Sequence, residues 1–157
     1  MTSSADLKAE NNKRMYAMSV VKTNNYNETE NVAFELAQSL PYGSVVAMFG
    51  ELGAGKTAFV RGFTKGMGID SDVSSPTFAL VNEYRGNKKT LYHFDMYRIS
   101  GWDDLYSTGF FDYLDEGASM IIEWSENIEA VLPDNCIRVT ISKTENINER
   151  IIEITGV

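Results

Sequence analysis

The chain has 157 residues, room for one compact domain with one core, and its 43% hydrophobic and 23% charged content is that of an ordinary globular protein. Its net charge of −8 argues against unaided binding to DNA or RNA, because that affinity comes mainly from Lys and Arg neutralising phosphates. A single cysteine, Cys136, and a single histidine, His93, exclude an internal disulfide and a cysteine-based zinc cluster.

No apolar run reaches the roughly 20 residues that span a bilayer, and the start of the chain lacks a secretory apolar segment, so a cytoplasmic protein without membrane contact is expected. Residues 1–14 are polar and aperiodic and read as a tail, with Met15 a candidate start. Residues 15–157 read as one domain.

Tyr16 to Thr23 reads as a first strand. Asn27 with Glu30 three residues later resembles a capping box. The helix that follows carries Val32, Leu36 and Leu40 at four-residue spacing beside Ala33 and Ala37, one apolar stripe for a core. Pro41-Tyr42-Gly43 ends it, and Ser44 to Phe49 is the apolar run of a strand buried on both faces.

A glycine-rich loop follows, then a helix over about Lys56 to Met67 with Phe59, Phe63 and Met67 on one side and Gly68 to stop it. Phe78 to Tyr84 and Leu91 to Tyr97 form a hairpin-like pair around Gly86-Asn87. Trp102 to Leu114 is helix-prone in pieces. Ala118 to Glu123 is an apolar strand, Ser125 to Val131 a short helix, and Ile137 to Ser142 with Arg150 to Thr155 a closing hairpin. Helices interleaved with buried strands predict an α/β protein, a three-layer P-loop fold with a mostly parallel sheet and added antiparallel strands.

The loop Gly50-Glu51-Leu52-Gly53-Ala54-Gly55-Lys56-Thr57 is a Walker A motif between a buried strand and an amphipathic helix, the context that confirms it. Backbone N–H groups surround a triphosphate only where side chains leave room, which Gly50, Gly53 and Gly55 allow. Residues 51–58, through Ala58, form the predicted nucleotide-binding set. Lys56 reaches the β- and γ-phosphates, and the Thr57 hydroxyl completes a magnesium shell.

Magnesium also needs a carboxylate near an adjacent strand end, and Asp95 and Glu123 both qualify. Thr77 stands where a switch-type loop brings a hydroxyl to the γ-phosphate, or else Pro76 simply sets a strand start there. Arg98, for transition-state charge, and His93, for packing near Asp95, are weaker candidates. The nearest match to a guanine-reading Asn-Lys-x-Asp is Asn87-Lys88-Lys89-Thr90, which lacks the carboxylate. ATP is therefore preferred over GTP.

Taken in order, the loop, Ser75-Pro76-Thr77-Phe78, His93-Phe94-Asp95-Met96-Tyr97-Arg98 and Glu123-Trp124 resemble the bacterial TsaE (YjeE) family from about Tyr16 onward. The resemblance implies a magnesium-dependent ATPase, weak alone, that supports formation of N6-threonylcarbamoyladenosine in tRNA by acting on a TsaD–TsaB complex and reaches tRNA only through those partners. It implies phosphate binding by Lys56 and the loop, magnesium binding by Thr57 and Glu123, and support of hydrolysis by Asp95 and Thr77. Trp124 is expected near the nucleotide or a partner surface, or in the core. Residues near Asn27 and Arg150 are candidates for the adenine pocket. A small-molecule kinase and a regulatory ATP-binding module are the alternatives, although no segment after the second helix reads as an arginine-bearing lid.

Overall fold

The computed structural model describes residues 3–4, 18–76 and 80–156. Most of the expected tail, the first two residues of the expected first strand, Thr77 and Phe78 lie outside the described residues.

The strands are β1 (Met18–Thr23), β2 (Val45–Phe49), β3 (Val81–Arg85), β4 (Thr90–Asp95), β5 (Ser119–Glu123), β6 (Ile137–Lys143) and β7 (Arg150–Thr155). The helices are α1 (Tyr26–Ser39), α2 (Lys56–Gly66), α3 (Trp102–Ser107) and α4 (Phe110–Asp115), with a 3-10 helix at Ser125–Val131. Among the described residues, seven strands form one sheet in the order β1-β7-β6-β2-β5-β4-β3.

The four central strands, β6-β2-β5-β4, run parallel, and the antiparallel pairs β1–β7, β7–β6 and β3–β4 extend it at both ends. This is the mixed sheet expected from the sequence, with a parallel core and antiparallel additions. Alternation along β2 divides the interior. Val46 and Met48 join Leu36, Phe59 and Phe63 of α1 and α2, whereas Ala47 joins Phe94, Leu105, Phe110 and Ile122 on the other face. Helices thus cover both sides of the sheet, and β5 is buried along its whole length.

α1 and α2 pack closely, because a Cβ on Gly62 would run into the backbone of Glu30. Glu30 also pairs across this contact with Arg61 at 3.0 Å and Lys65 at 3.5 Å. Two local expectations are corrected. The N-cap is Asn25, whose side chain accepts from the Glu28 N–H at 2.9 Å, while Glu28 accepts from Asn24 N at 2.7 Å. The box lies two residues before the expected Asn27–Glu30 pair because Asn25 holds the extended backbone a cap requires. The buried stripe of α1 is Thr29, Ala33, Leu36 and Ala37, with Val32 and Leu40 only partly buried at its margins.

Candidate functional site

Parallel strands end on one side of the sheet, and a cleft forms just beyond their carboxyl ends. β2 contributes the glycine-rich loop. Its neighbour β5 ends at Glu123, and the next strand, β4, ends at Asp95, directly opposite Glu123 in the register. Local strand order therefore brings residues 28 positions apart in sequence to the same rim. The cleft has a volume of about 550 Å³ and is lined by residues 52–58 together with Asp95, Arg98, Glu123 and Trp124. Glu51 is not part of the lining; its carbonyl accepts from Lys56 at 3.1 Å.

The loop is shaped by its own backbone. Gly50 has φ +146°, and a Cβ there would meet the carbonyl of Ile141 on β6. Gly55, at φ +102°, begins α2, so the dipole of an 11-residue helix points its positive end into the cleft. Lys56 Nζ donates to the Gly50 and Glu51 carbonyls and lies 4.0 Å from the centre of the Trp124 ring. Burial holds the Lys56 ammonium below its ordinary range, opposed by the charges of Glu123, Glu126, Asp95 and Glu51.

The acids are held by side chains. Asp95, buried, accepts from Ser75 Oγ at 3.2 Å through one oxygen and from Tyr97 N at 3.0 Å through the other. Glu123, also buried, meets His93 Nε2 at 2.6 Å, and His93 Nδ1 meets the Tyr84 hydroxyl at 2.9 Å. A carboxylate can only accept, so His93 carries a proton on Nε2 and turns Nδ1 toward Tyr84. Burial pushes the Tyr84 phenol up and keeps it protonated, its single proton shared between His93 Nδ1 and the Ser74 carbonyl 3.1 Å away. The segment 74–75 is thereby tied to both acids.

His93 does not line the cleft; it is fully buried behind Glu123, as a packed residue supporting an acid. Asn27 is exposed and does not itself line the cleft, but its neighbour Tyr26, at the start of α1, does. Arg150 is not at an open pocket: its guanidinium is buried and bonded to the carbonyls of Gly53 and Ala54. Trp124 adopts φ +58°, ψ +42°, which turns the chain sharply after β5 and sets the indole against Lys56 and Tyr97.

Sequence reasoning missed Glu126, whose carboxylate accepts from Gly50 N at 3.2 Å, and also Ser75, Tyr84 and Tyr26. Glu126 and Tyr84 are single polar residues without a motif, recognisable only once distant segments are brought together; Ser75 stood inside the Ser75-Pro76-Thr77-Phe78 element without a role of its own, and Tyr26 beside Asn27.

The donor set is oxygen-rich and sparse. Among the described residues no group of three or more His, Cys, Asp and Glu is placed to hold a metal ion. One hydroxyl, Thr57, and two carboxylates, Asp95 and Glu123, suit magnesium, which keeps several waters and takes one or two carboxylates with substrate phosphates.

A protein-family model described as "Threonylcarbamoyl adenosine biosynthesis protein TsaE" matches residues 23–152. Proteins described as "tRNA threonylcarbamoyladenosine biosynthesis protein TsaE" include one from Rickettsia conorii, 39% identical over 83% of this chain and 74% of its own length. Another, from Bacillus subtilis, is 36% identical over 87% of this chain and 84% of its own. A crystal structure of Bacillus subtilis YdiB superposes with a TM-score of 0.74 and 33% identity, covering 91% of this chain and 88% of that one.

Proposed function

The chain belongs to the TsaE family of tRNA threonylcarbamoyladenosine biosynthesis proteins, and from that premise we propose that it is a magnesium-dependent ATPase acting on a TsaD–TsaB complex. The observation that carries this reading is the convergence of a Walker A loop and two strand-end carboxylates on one cleft.

In this reading Lys56 and the loop N–H groups hold the β- and γ-phosphates, and Thr57 with Glu123 forms the protein's share of a magnesium site. Bound magnesium supplies charge neutralisation at the phosphate oxygens. Asp95 accepts the proton of, and orients, the attacking water; Glu123 is the alternative for that role. Thr77 is assigned to the γ-phosphate side of the same site. Catalysis then rests on positioning and electrostatics, with no covalent intermediate. Residues 15–157 are read as the ATPase domain.

No helix among the described residues is long and apolar enough to cross a membrane, and a cytoplasmic location is part of the proposal. With a net charge of −8, the protein reaches tRNA through its partners rather than by gripping phosphates itself. Turnover alone is expected to be slow and to rise within the complex.

The test is phosphate release from ATP by the purified chain, alone and with TsaD–TsaB and tRNA, with Lys56→Ala as control. Stimulation by the partners, absent in the variant, supports the reading. Magnesium-dependent ATP binding without any response to the partners overturns the tRNA-modification part and leaves a kinase or a regulatory module.

A further inference from the structure

Bonded to the loop, but not among the residues that line the cleft, lies a buried cation for which the proposed chemistry has no use. Arg150 opens β7 and is 7% exposed. Its Nε donates to the Ala54 carbonyl at 2.9 Å and one terminal nitrogen to the Gly53 carbonyl at 3.2 Å. The other terminal nitrogen donates to the carbonyls of Ile147 and Glu149, both at 2.8 Å. Among the described residues no carboxylate pairs with it; Glu149 turns its own side chain to Lys22 at 3.1 Å.

A buried charge without an opposite charge is expensive unless something else compensates it. Here the compensation comes from carbonyl dipoles, two of them in the phosphate loop. A cation on a carbonyl oxygen also draws density from the same peptide's N–H, making that N–H a stronger donor. The Ala54 carbonyl shares its peptide with the Gly55 N–H, at the head of α2. The guanidinium therefore fixes two loop carbonyls, strengthens the Gly55 N–H as a donor, and places positive charge next to residues that line the cleft.

We infer that Arg150 is a positioning residue for the phosphate site: it acts through the loop backbone and raises affinity for polyphosphate without touching it. The inference rests on reading the loop as a triphosphate site. Its requirement is specific to the guanidinium fork, because a lysine ammonium is a point donor that cannot span carbonyls of two segments.

The test uses the full chain with Arg150→Lys and Arg150→Met, measuring affinity for a fluorescent ATP analogue, for ADP and for inorganic tripolyphosphate, with thermal unfolding recorded on the same samples. Both variants, folded at the assay temperature, should bind ATP about tenfold or more weakly, Met the weaker of the two. The loss should be larger for ATP and tripolyphosphate than for ADP. A scaffold residue would lower the unfolding temperature and leave the affinities of the folded protein within about twofold of wild type, and that result overturns the inference. So does a failure of both variants to fold, which would assign Arg150 to the scaffold. Wild type and Lys56→Ala run beside them: a folded wild type that binds none of the three ligands defeats the triphosphate reading itself, a different outcome from tight binding by the Arg150 variants.

Discussion

On the loop wall of the cleft, backbone does the positioning: Gly50 sits against the Ile141 carbonyl, Gly55 starts a helix, and Arg150 holds two loop carbonyls. On the acid wall, side chains position one another, Ser75 on Asp95 and Tyr84 on His93 on Glu123. A wall made of backbone should be intolerant of added atoms, and a wall made of buried hydrogen bonds intolerant of lost ones. Substitutions of the two kinds therefore separate the walls.

The largest effect is expected at Gly50. An added methyl both meets the β6 backbone and strains a φ of +146°, so Gly50→Ala should cost about 3–5 kcal/mol in urea unfolding and abolish measurable nucleotide binding. Retention of both would show that the loop relaxes freely and that its backbone is not the positioning element.

His93→Leu addresses the opposite wall. The substitution keeps apolar volume but strands the buried Glu123 carboxylate, whereas the Tyr84 hydroxyl keeps the Ser74 carbonyl, an expected loss of about 3 kcal/mol. Unlike the Gly50 variant, it should leave magnesium-free nucleotide affinity close to wild type and weaken the magnesium dependence of binding. Equal losses in both conditions would merge the two walls into one. Tyr84→Phe, removing only the outer member of the chain, should cost about 1 kcal/mol, readable as a small fall in melting temperature.

The same contrast explains what the sequence disclosed. The loop wall was legible because its determinants are contiguous: glycines, Lys56 and Thr57 lie in one eight-residue stretch between a buried strand and a helix. Asp95 and Glu123 were legible as acids ending apolar strands, and β4 and β5 prove to be neighbours in register. What joins distant segments was not. Glu126 reaches Gly50 across 76 positions and Arg150 reaches Ala54 across 96, and neither carries a local pattern. His93 was legible as a packed residue near an acid, but its partner is Glu123 on the next strand rather than Asp95, two residues along its own. The displaced cap at Asn25 is a smaller failure of the same kind, since Asn24, Asn25 and Asn27 offer nearly equivalent side chains and backbone conformation decides among them.

Lys56 belongs to both walls, and the smallest predicted effect follows from that. Burial lowers its proton affinity while Glu123, first among the opposing charges, raises it. The folded state then holds this proton less tightly than the unfolded chain, whose lysine keeps the ordinary 10.5. Below the folded value both states are protonated and the penalty is fully present. As pH climbs through the folded value toward 10.5, the folded protein releases its proton first, so stability rises relative to a protein without the lysine. The difference in unfolding free energy between wild type and Lys56→Met should therefore slope upward in wild type's favour across that alkaline window. Glu123→Gln, by removing an opposing charge from the other wall, should move the onset of the slope to lower pH. An onset unchanged by Glu123→Gln would mean that the acids do not act on the loop lysine, and that the two walls are electrostatically independent.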